Sequence, residues 1–400
     1  MNANESTVTR PKGVKLKGFI EMTTPLKNDS ERLADAEKLL RQKNARNIQL
    51  ERLIRETTQD NDSAEKVRTE IFGLSEYSPE PPKWLTRDPG KSSTGIPLIC
   101  LNDWHWGEVV DPDQVGGANK FNRAIARKRV HVLADTVIDL CFNHMTNPNY
   151  PGAVLAILGD MITGNIHDDL RETNDGPIMW SVNEVENHII GLILAWKKRF
   201  KKLAIIAVPG NHGRNTVKPR INNRVYESYE WLIYCHIEQY FRNDPDVSVF
   251  VPNEVDAFFS IFGHRVMATH GDTLGVKGGD GLIGALGPIA RGAMKIGAQQ
   301  RQIGRDFDTL AIGHYHFYMP RGDGTPVLLS PSLMGHNTYA HLQLRVKASR
   351  PAQALAFIHP KHGFTAQWPM YLDEKRLHKK TEPWFVWGGA RTNRDLNLDA

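Results

Sequence analysis

From Ile96 onward the chain alternates short apolar runs with long amphipathic ones, and this constrains the fold more than any other feature. PLICLND, AVLAILGD and LAIIAVPGN read as buried strands. The segments that follow them, ANKFNRAIARKRVHVLADTVIDLCFNHM, SVNEVENHIIGLILAWKKRF and VYESYEWLIYCHIEQYF, read as helices. Strands that alternate with helices build βαβ units, so a largely parallel sheet and the α/β class are expected. Beyond about residue 247 short strands dominate: VSVFVP, AFFSIF, HRVMATHG, DTLAIGH, PVLLSPS, HLQLRV, QALAFIH and TAQWPMY. These predict a second sheet, mixed or antiparallel, and hence an α+β character in the second half.

Composition narrows the class. A hydrophobic content of 40% and a charged content of 24% are ordinary for a soluble globular protein. There is no run of about 18 apolar residues to span a membrane, and MNANESTVTRPKG lacks the apolar stretch of a secretory signal. Cys100, Cys141 and Cys235 are odd in number, far apart and set among apolar neighbours. They read as buried thiols in a reducing, cytoplasmic compartment rather than as disulfides or zinc ligands.

Residues 1–92 differ from the rest. Residues 29–57 are charged and helix-prone, with Leu33, Ala36, Leu40, Leu50 and Ile54 in an interrupted heptad. A solvated or docked amphipathic helix is expected, a surface for a second copy or a partner protein. SPEPPKWLTRDPGKSSTG then reads as a linker or extended wrap. The expected layout is a helical arm and linker over 1–92, a catalytic domain over 93–372 and a tail over 373–400.

Each strand ends in a polar cluster. In order these are Asp103 and His105, Gly159-Asp160, Gly210-Asn211-His212, His270-Gly271-Asp272, and Gly313-His314-Tyr-His316. Ligands of open α/β sheets bind beyond the carboxyl ends of the strands, so all five clusters should gather along one edge. Residues two apart on an extended segment face one side, so His314 and His316 should aim at one spot. Carboxylate, amide and imidazole donors without thiolate suit Mn²⁺, iron or Zn²⁺. Seven donors exceed the needs of one ion and match two ions that share a carboxylate.

The order D-x-H, G-D, G-N-H, H, G-H-x-H resembles the calcineurin-like metallophosphoesterase superfamily, with the likeness running over about residues 96–335. LLSPSLMG at 328–335 is similar to the strand and Ser-containing turn that follow the last motif there. The resemblance implies a two-layer β-sandwich flanked by helices, with two divalent ions between the sheets, Mn²⁺ before iron or Zn²⁺. It implies that Asp103, His105, Asp160 and His316 hold one ion, that Asp160, Asn211, His270 and His314 hold the other, and that Asp160 bridges. It also implies catalysis by Asp103, Asp160 and His212, with His212 facing the scissile phosphate. Many members follow this histidine with an acid, where this chain has Gly213 and Arg214. The partner that orients His212 must then come from elsewhere, with Asp272 and Asp103 as candidates.

Charge placement bears on the substrate. Residues 196–226 carry nine Lys/Arg and no acid. Lys197 to Lys202 precede a strand and belong to the far edge, whereas Arg214, Lys218, Arg220 and Arg224 follow it. Residues 281–305 are also acid-free, and their glycines suggest a pliant loop or short-helix cap over the site, bearing Arg291, Lys295, Arg301 and Arg305. Arg214, Lys218, Arg291 and Lys295 are the expected substrate contacts. Two basic segments at one edge suit a polyanion. Members of the superfamily that cut DNA, such as bacterial repair exonuclease subunits, share these motifs, so the resemblance makes DNA cut without sequence specificity the first expectation. A phosphatase or small- or cyclic-nucleotide phosphodiesterase is the alternative, and a scaffold that uses its metals structurally is a third reading.

Overall fold

The computed structural model describes residues 80–86, 94–274, 286–322 and 326–373. The expected helix at 29–57 and the tail beyond Asp373 lie outside the described residues.

Four parallel strands, β1 (Ile96–Leu101), β2 (Ala153–Ile157), β3 (Leu203–Ala207) and β4 (Val247–Phe250), form the centre and one edge of a six-stranded sheet. Its helices are α1 (Arg123–Asp139), α2 (Ile178–Phe200) and α3 (Tyr229–Phe241). Asn122 starts α1 by accepting a hydrogen bond from the Ile125 N–H at 3.0 Å, which supplies one donor that helix geometry leaves unpaired. β1, β2 and β3 are buried at every position because both faces of their sheet are covered. On one side lie the three helices, joined in part by the Trp196 indole N–H, which donates to the Ala134 carbonyl at 3.1 Å.

On the other side lies a second sheet of β5 (Asp256–Ile261), β6 (His264–Thr269), β7 (Thr309–Ile312) and β8 (Val327–Leu329), in that order. The β5–β6 pair is antiparallel, and the β6–β7 and β7–β8 pairs are parallel. The sheets share one core: Leu98, Cys100, Val154, Ala156, Ala204 and Ile206 meet Ala257, Val266, Ala268, Ala311 and Leu328. The period-two spacing of these residues is the inner face of each sheet. A helix, α4 (Leu286–Gln302), covers the outer face of the second sheet with Ile289, Ala293 and Ile296. The molecule is thus a mixed α/β fold of two sheets flanked by helices, as the resemblance implied.

Four expectations need correction. β4, β9 (Ala352–His359) and β10 (Gly363–Tyr371) do not join the second sheet; they extend the first, with β9 antiparallel to β1. Apolar alternation marks a strand but not the sheet it pairs with. HLQLRV is not a strand: Asn337 caps a helix, Thr338–Leu342, by accepting from the Ala340 N–H at 3.0 Å. Leu344 and Val346 are left exposed. The expected linker contains the short helix Lys83–Thr86, whose Leu85 is 4% exposed in the shared core with Trp84 packed beside it. These residues belong to the sandwich although they precede the expected boundary at 93. Finally, of the two forms expected for the glycine-rich stretch, a pliant loop or a short helix, the part from Leu286 is a helix, longer than expected at 17 residues and seated on the second sheet. At the other end, Leu372 still donates its N–H to the Pro351 carbonyl.

The three cysteines are buried and free, and burial pushes the Cys100 thiol up to about 12. Among the described residues no helix is long and apolar enough to cross a membrane.

Candidate metal centre

The loops after β1, β2, β3, β6 and β7 meet where the carboxyl ends of both sheets converge. The first two stay zipped beyond the strands: the N–H groups of Asp103, His105 and Trp106 donate to the carbonyls of Gly159, Asp160 and Met161. The chain then turns the donor side chains inward by adopting left-handed backbone. Asp103 has φ 49°, His105 46°, Asp160 53°, His314 66° and His316 60°. Asp and His tolerate this region better than branched residues, but each instance costs roughly 1–3 kcal/mol. Five of the seven expected donors carry that strain.

Two clusters result. Asp103, His105 and His316 form one, and Asp160, His270 and His314 the other, with the donor atoms of each within 4.8 Å of one another. In the first, Asp103 Oδ1 lies 3.3 Å from His316 Nε2 and 3.8 Å from His105 Nε2, and the two imidazole nitrogens are 3.1 Å apart. In the second, His270 Nε2 faces Asp160 Oδ2 at 3.0 Å, Asn211 Oδ1 at 3.2 Å and His314 Nδ1 at 3.2 Å. His314 and His316 therefore serve different clusters. Their positive φ takes them off the extended geometry that would have aimed them at one spot.

Neighbouring groups fix which atoms face inward. The Nδ1 of His270 donates to the Leu158 carbonyl at 2.7 Å, which turns Nε2 toward the Asp160 and Asn211 oxygens. Asp103 Oδ2 accepts from the His314 N–H at 2.9 Å and from the Asn102 amide, while its buried Oδ1 accepts no hydrogen bond among the described residues. Asp160 Oδ1 accepts from the His212 N–H at 2.7 Å. Buried acceptors that converge without donors call for a cation. In the metal-free chain protons fill that place. Burial would lower both histidines, but the carboxylates outweigh it: His105 rises to about 9 beside Asp103, Asp160 and Glu108, and His270 to about 10 beside Asp160. Burial would likewise raise Asp103 and Asp160, but the facing imidazoles hold both well below the usual carboxylate range. The donor set thus fits a dinuclear site.

His212 stands 4.7 Å from His105, ring centroid to centroid, and its Nδ1 is 2.9 Å from the Thr163 carbonyl oxygen. This backbone carbonyl orients the ring. Asp272 does not, being paired with Arg224, and Asp103 is engaged by Asn102 and His314. Burial pushes His212 down to about 3.

The expected substrate contacts are placed less favourably. The Arg214 guanidinium donates to the carbonyls of Asn211, Thr216 and Val217 at 2.8, 2.9 and 3.1 Å, so it braces its own loop. Lys218 is exposed on that loop, and Arg220 sits 3.9 Å from Glu227. Arg291 and Lys295 are exposed on α4, away from the side that packs on the second sheet. Arg305 is paired with Glu254 at 2.7 Å.

Sequence reasoning missed three supporting groups: Asn102, the Thr163 carbonyl and Glu230. Asn102 was the recoverable one, since it adjoins Asp103 in the motif. Ser332, in the turn read from LLSPSLMG, donates its hydroxyl to the Asp103 carbonyl at 2.8 Å.

Among solved structures, a chain described as a 5'-nucleotidase from Staphylococcus aureus, in complex with alpha-ketoglutarate, is similar to this one at 11% identity and a TM-score of 0.31. The likeness covers 72% of this chain and 56% of that one, little more than half its length. The phosphopantetheinyl hydrolase of Mycobacterium tuberculosis is similar at 11% identity and a TM-score of 0.27, over 63% of this chain and 94% of that one. No family model and no curated protein matches the chain.

Proposed function

We propose that this chain is a metal-dependent phosphoester hydrolase, and more narrowly a phosphodiesterase that cuts DNA without sequence specificity. The observation that carries the first part is the pair of Asp/His clusters built at four strand ends, with five of the six residues on left-handed backbone. Asp103, His105, Asp160 and His316 would hold one ion, and Asp160, Asn211, His270 and His314 the other. Two divalent ions there, Mn²⁺ in preference to iron or Zn²⁺, would supply Lewis acidity and an activated water.

The chain's own residues do the rest. Asn102 and the Leu158 carbonyl keep donor atoms aimed inward. Thr163 accepts from His212 Nδ1, so Nε2 is left for the reacting phosphate. That nitrogen carries a proton only when the ring is cationic. Burial opposes the cation, and an anionic phosphate alongside restores it. His212 then donates to the phosphate or its leaving oxygen.

Lys218, Arg291 and Lys295 are exposed cations that support the nucleic-acid part of the reading. One observation favours a second reading, a phosphatase or small-nucleotide phosphodiesterase: Arg214 and Arg224, which line one cavity with Asn211, are engaged within the protein. A panel of single-stranded DNA, duplex DNA, RNA, cyclic nucleotides and a generic diester, each with Mn²⁺, tests both. DNA cleavage that falls steeply with salt is expected. Turnover confined to small esters would transfer the function to the second reading.

A further inference from the structure

Glu230 has no place in the chemistry described so far, yet it is fully buried directly beneath it. It stands in the first turn of α3, after Ser228, whose side chain caps the helix. Its carboxylate points away from solvent and accepts backbone N–H groups from two catalytic loops at once. Oε1 takes Met161 at 2.6 Å and Ile162 at 3.4 Å, and Oε2 takes Gly210 at 2.7 Å and Asp160 at 3.2 Å. One side chain thus joins the Asp160 loop to the loop of Asn211 and His212.

Gly213 shows that this location is specific. A Cβ there would lie 2.5 Å from Glu230 Cγ, 2.7 Å from Cδ and 3.1 Å from Oε1. The glycine is the space that the carboxylate fills. Gly213 and Glu230 are held side by side, because the Gly213 carbonyl accepts from the Tyr229 N–H at 2.8 Å and Arg214 pairs with Ser228. The loops are also pressed together: a Cβ on Gly210 would lie 2.1 Å from Asp160 Oδ1, so little slack exists for either to drift.

We infer that Glu230 is a positioning residue for the metal centre, a buried carboxylate that sets the spacing between Asp160 and Asn211. A carboxylate entering the same space from position 213 would do the same work. The inference rests on the proposed metal-dependent function, because its readout is the affinity of the site for metal. The backbone of Gly213 has no positive φ, and the nearest atoms a Cβ there would meet all belong to Glu230. Two carbon–carbon bonds span about 2.5 Å, which matches the 2.7 Å from a Cβ at 213 to the present carboxyl carbon.

The test compares wild type, Glu230→Gln, Glu230→Ala, and Glu230→Ala combined with Gly213→Glu. Mn²⁺ affinity and stoichiometry are measured by equilibrium dialysis, melting temperature is followed in parallel, and hydrolysis of a generic diester is split into kcat and KM. Groups that orient metal ligands change affinity or activity by roughly 10–100-fold when removed. Glu230→Ala should weaken Mn²⁺ by that factor, Glu230→Gln should fall between, and Gly213→Glu should restore most of the affinity. Glu230→Ala that keeps its fold and binds Mn²⁺ within about twofold of wild type would overturn the inference, as would a folded double variant no better than the single one. If Glu230→Ala does not fold, the double variant decides: recovered folding with recovered Mn²⁺ binding supports the inference, and an unfolded double variant rejects it. A wild type that binds no Mn²⁺ defeats the proposed function instead, so the two failures are distinguishable.

Discussion

The imidazole of His212 is held by the backbone carbonyl of Thr163, with Nδ1 at 2.9 Å from the oxygen. A carbonyl accepts but never donates, so it holds Nδ1 as the ring's N–H donor. Replacing His212 with Asn should leave metal binding intact and lower turnover of both a small diester and an oligonucleotide by roughly 10²–10⁴. Kinetics on both substrates check this. Unchanged turnover would remove His212 from the reaction.

Metal uptake should release protons. In the metal-free chain His105 and His270 lie above the ordinary histidine value, at about 9 and about 10, so both are protonated near neutrality. An ion must displace those protons, and affinity therefore rises with pH until the raised values are passed. Apparent Mn²⁺ affinity should fall by roughly tenfold per pH unit for each proton displaced as pH drops through neutrality. Titration calorimetry in buffers of different ionisation enthalpy reads the proton count directly. Affinity that is flat with pH would mean that the two histidines are not ligands.

Removing exposed charge should act on long substrates alone. Lys218→Ala, Arg291→Ala and Lys295→Ala together should leave a small diester nearly untouched. The same changes should reduce the salt slope of oligonucleotide binding by roughly 0.7–0.9 for each phosphate that is no longer neutralised. Arg214→Ala is expected to behave differently. Its guanidinium braces the loop of Asn211, so its loss should impair both substrates. An equal effect of all four changes on both substrates would assign the cluster to the fold.

The sandwich begins before the expected boundary at residue 93. Leu85 is buried in the core shared by the two sheets, and its carbonyl accepts from the Phe262 N–H at 2.9 Å. Leu85→Ala should lower unfolding stability by about 2–5 kcal/mol. A chain starting at Ser92 should melt well below the full chain. Denaturant melts check both, and an unchanged midpoint would make Lys83–Thr86 dispensable.

The site was more legible than the fold around it because its donors sit inside motifs whose order survives in one dimension. Asp103, His105, Asp160, Asn211, His270, His314 and His316 could each be named because a strand end fixes where a side chain goes. The supporting groups could not. Thr163 acts through its backbone, which no residue type announces, and Glu230 reaches the site from a helix 70 residues from Asp160 in the chain. Strand existence was read well from apolar runs. Sheet membership was not, since β9 returns to pair with β1 across hundreds of residues of chain. The settings of the basic residues were hidden for a related reason. Charge counts do not show that Arg214 spends its fork on carbonyls, or that Arg291 rides on a helix docked to the second sheet.

Counting bound metal tests the central claim most directly. The chain, stripped of metal and reloaded with Mn²⁺, should hold close to two ions after removal of the excess, as measured by elemental analysis. Asp160→Asn, which withdraws the carboxylate that the proposal shares between both ions, should lose most of both. One firmly held ion per chain, unaffected by Asp160→Asn, would contradict the account.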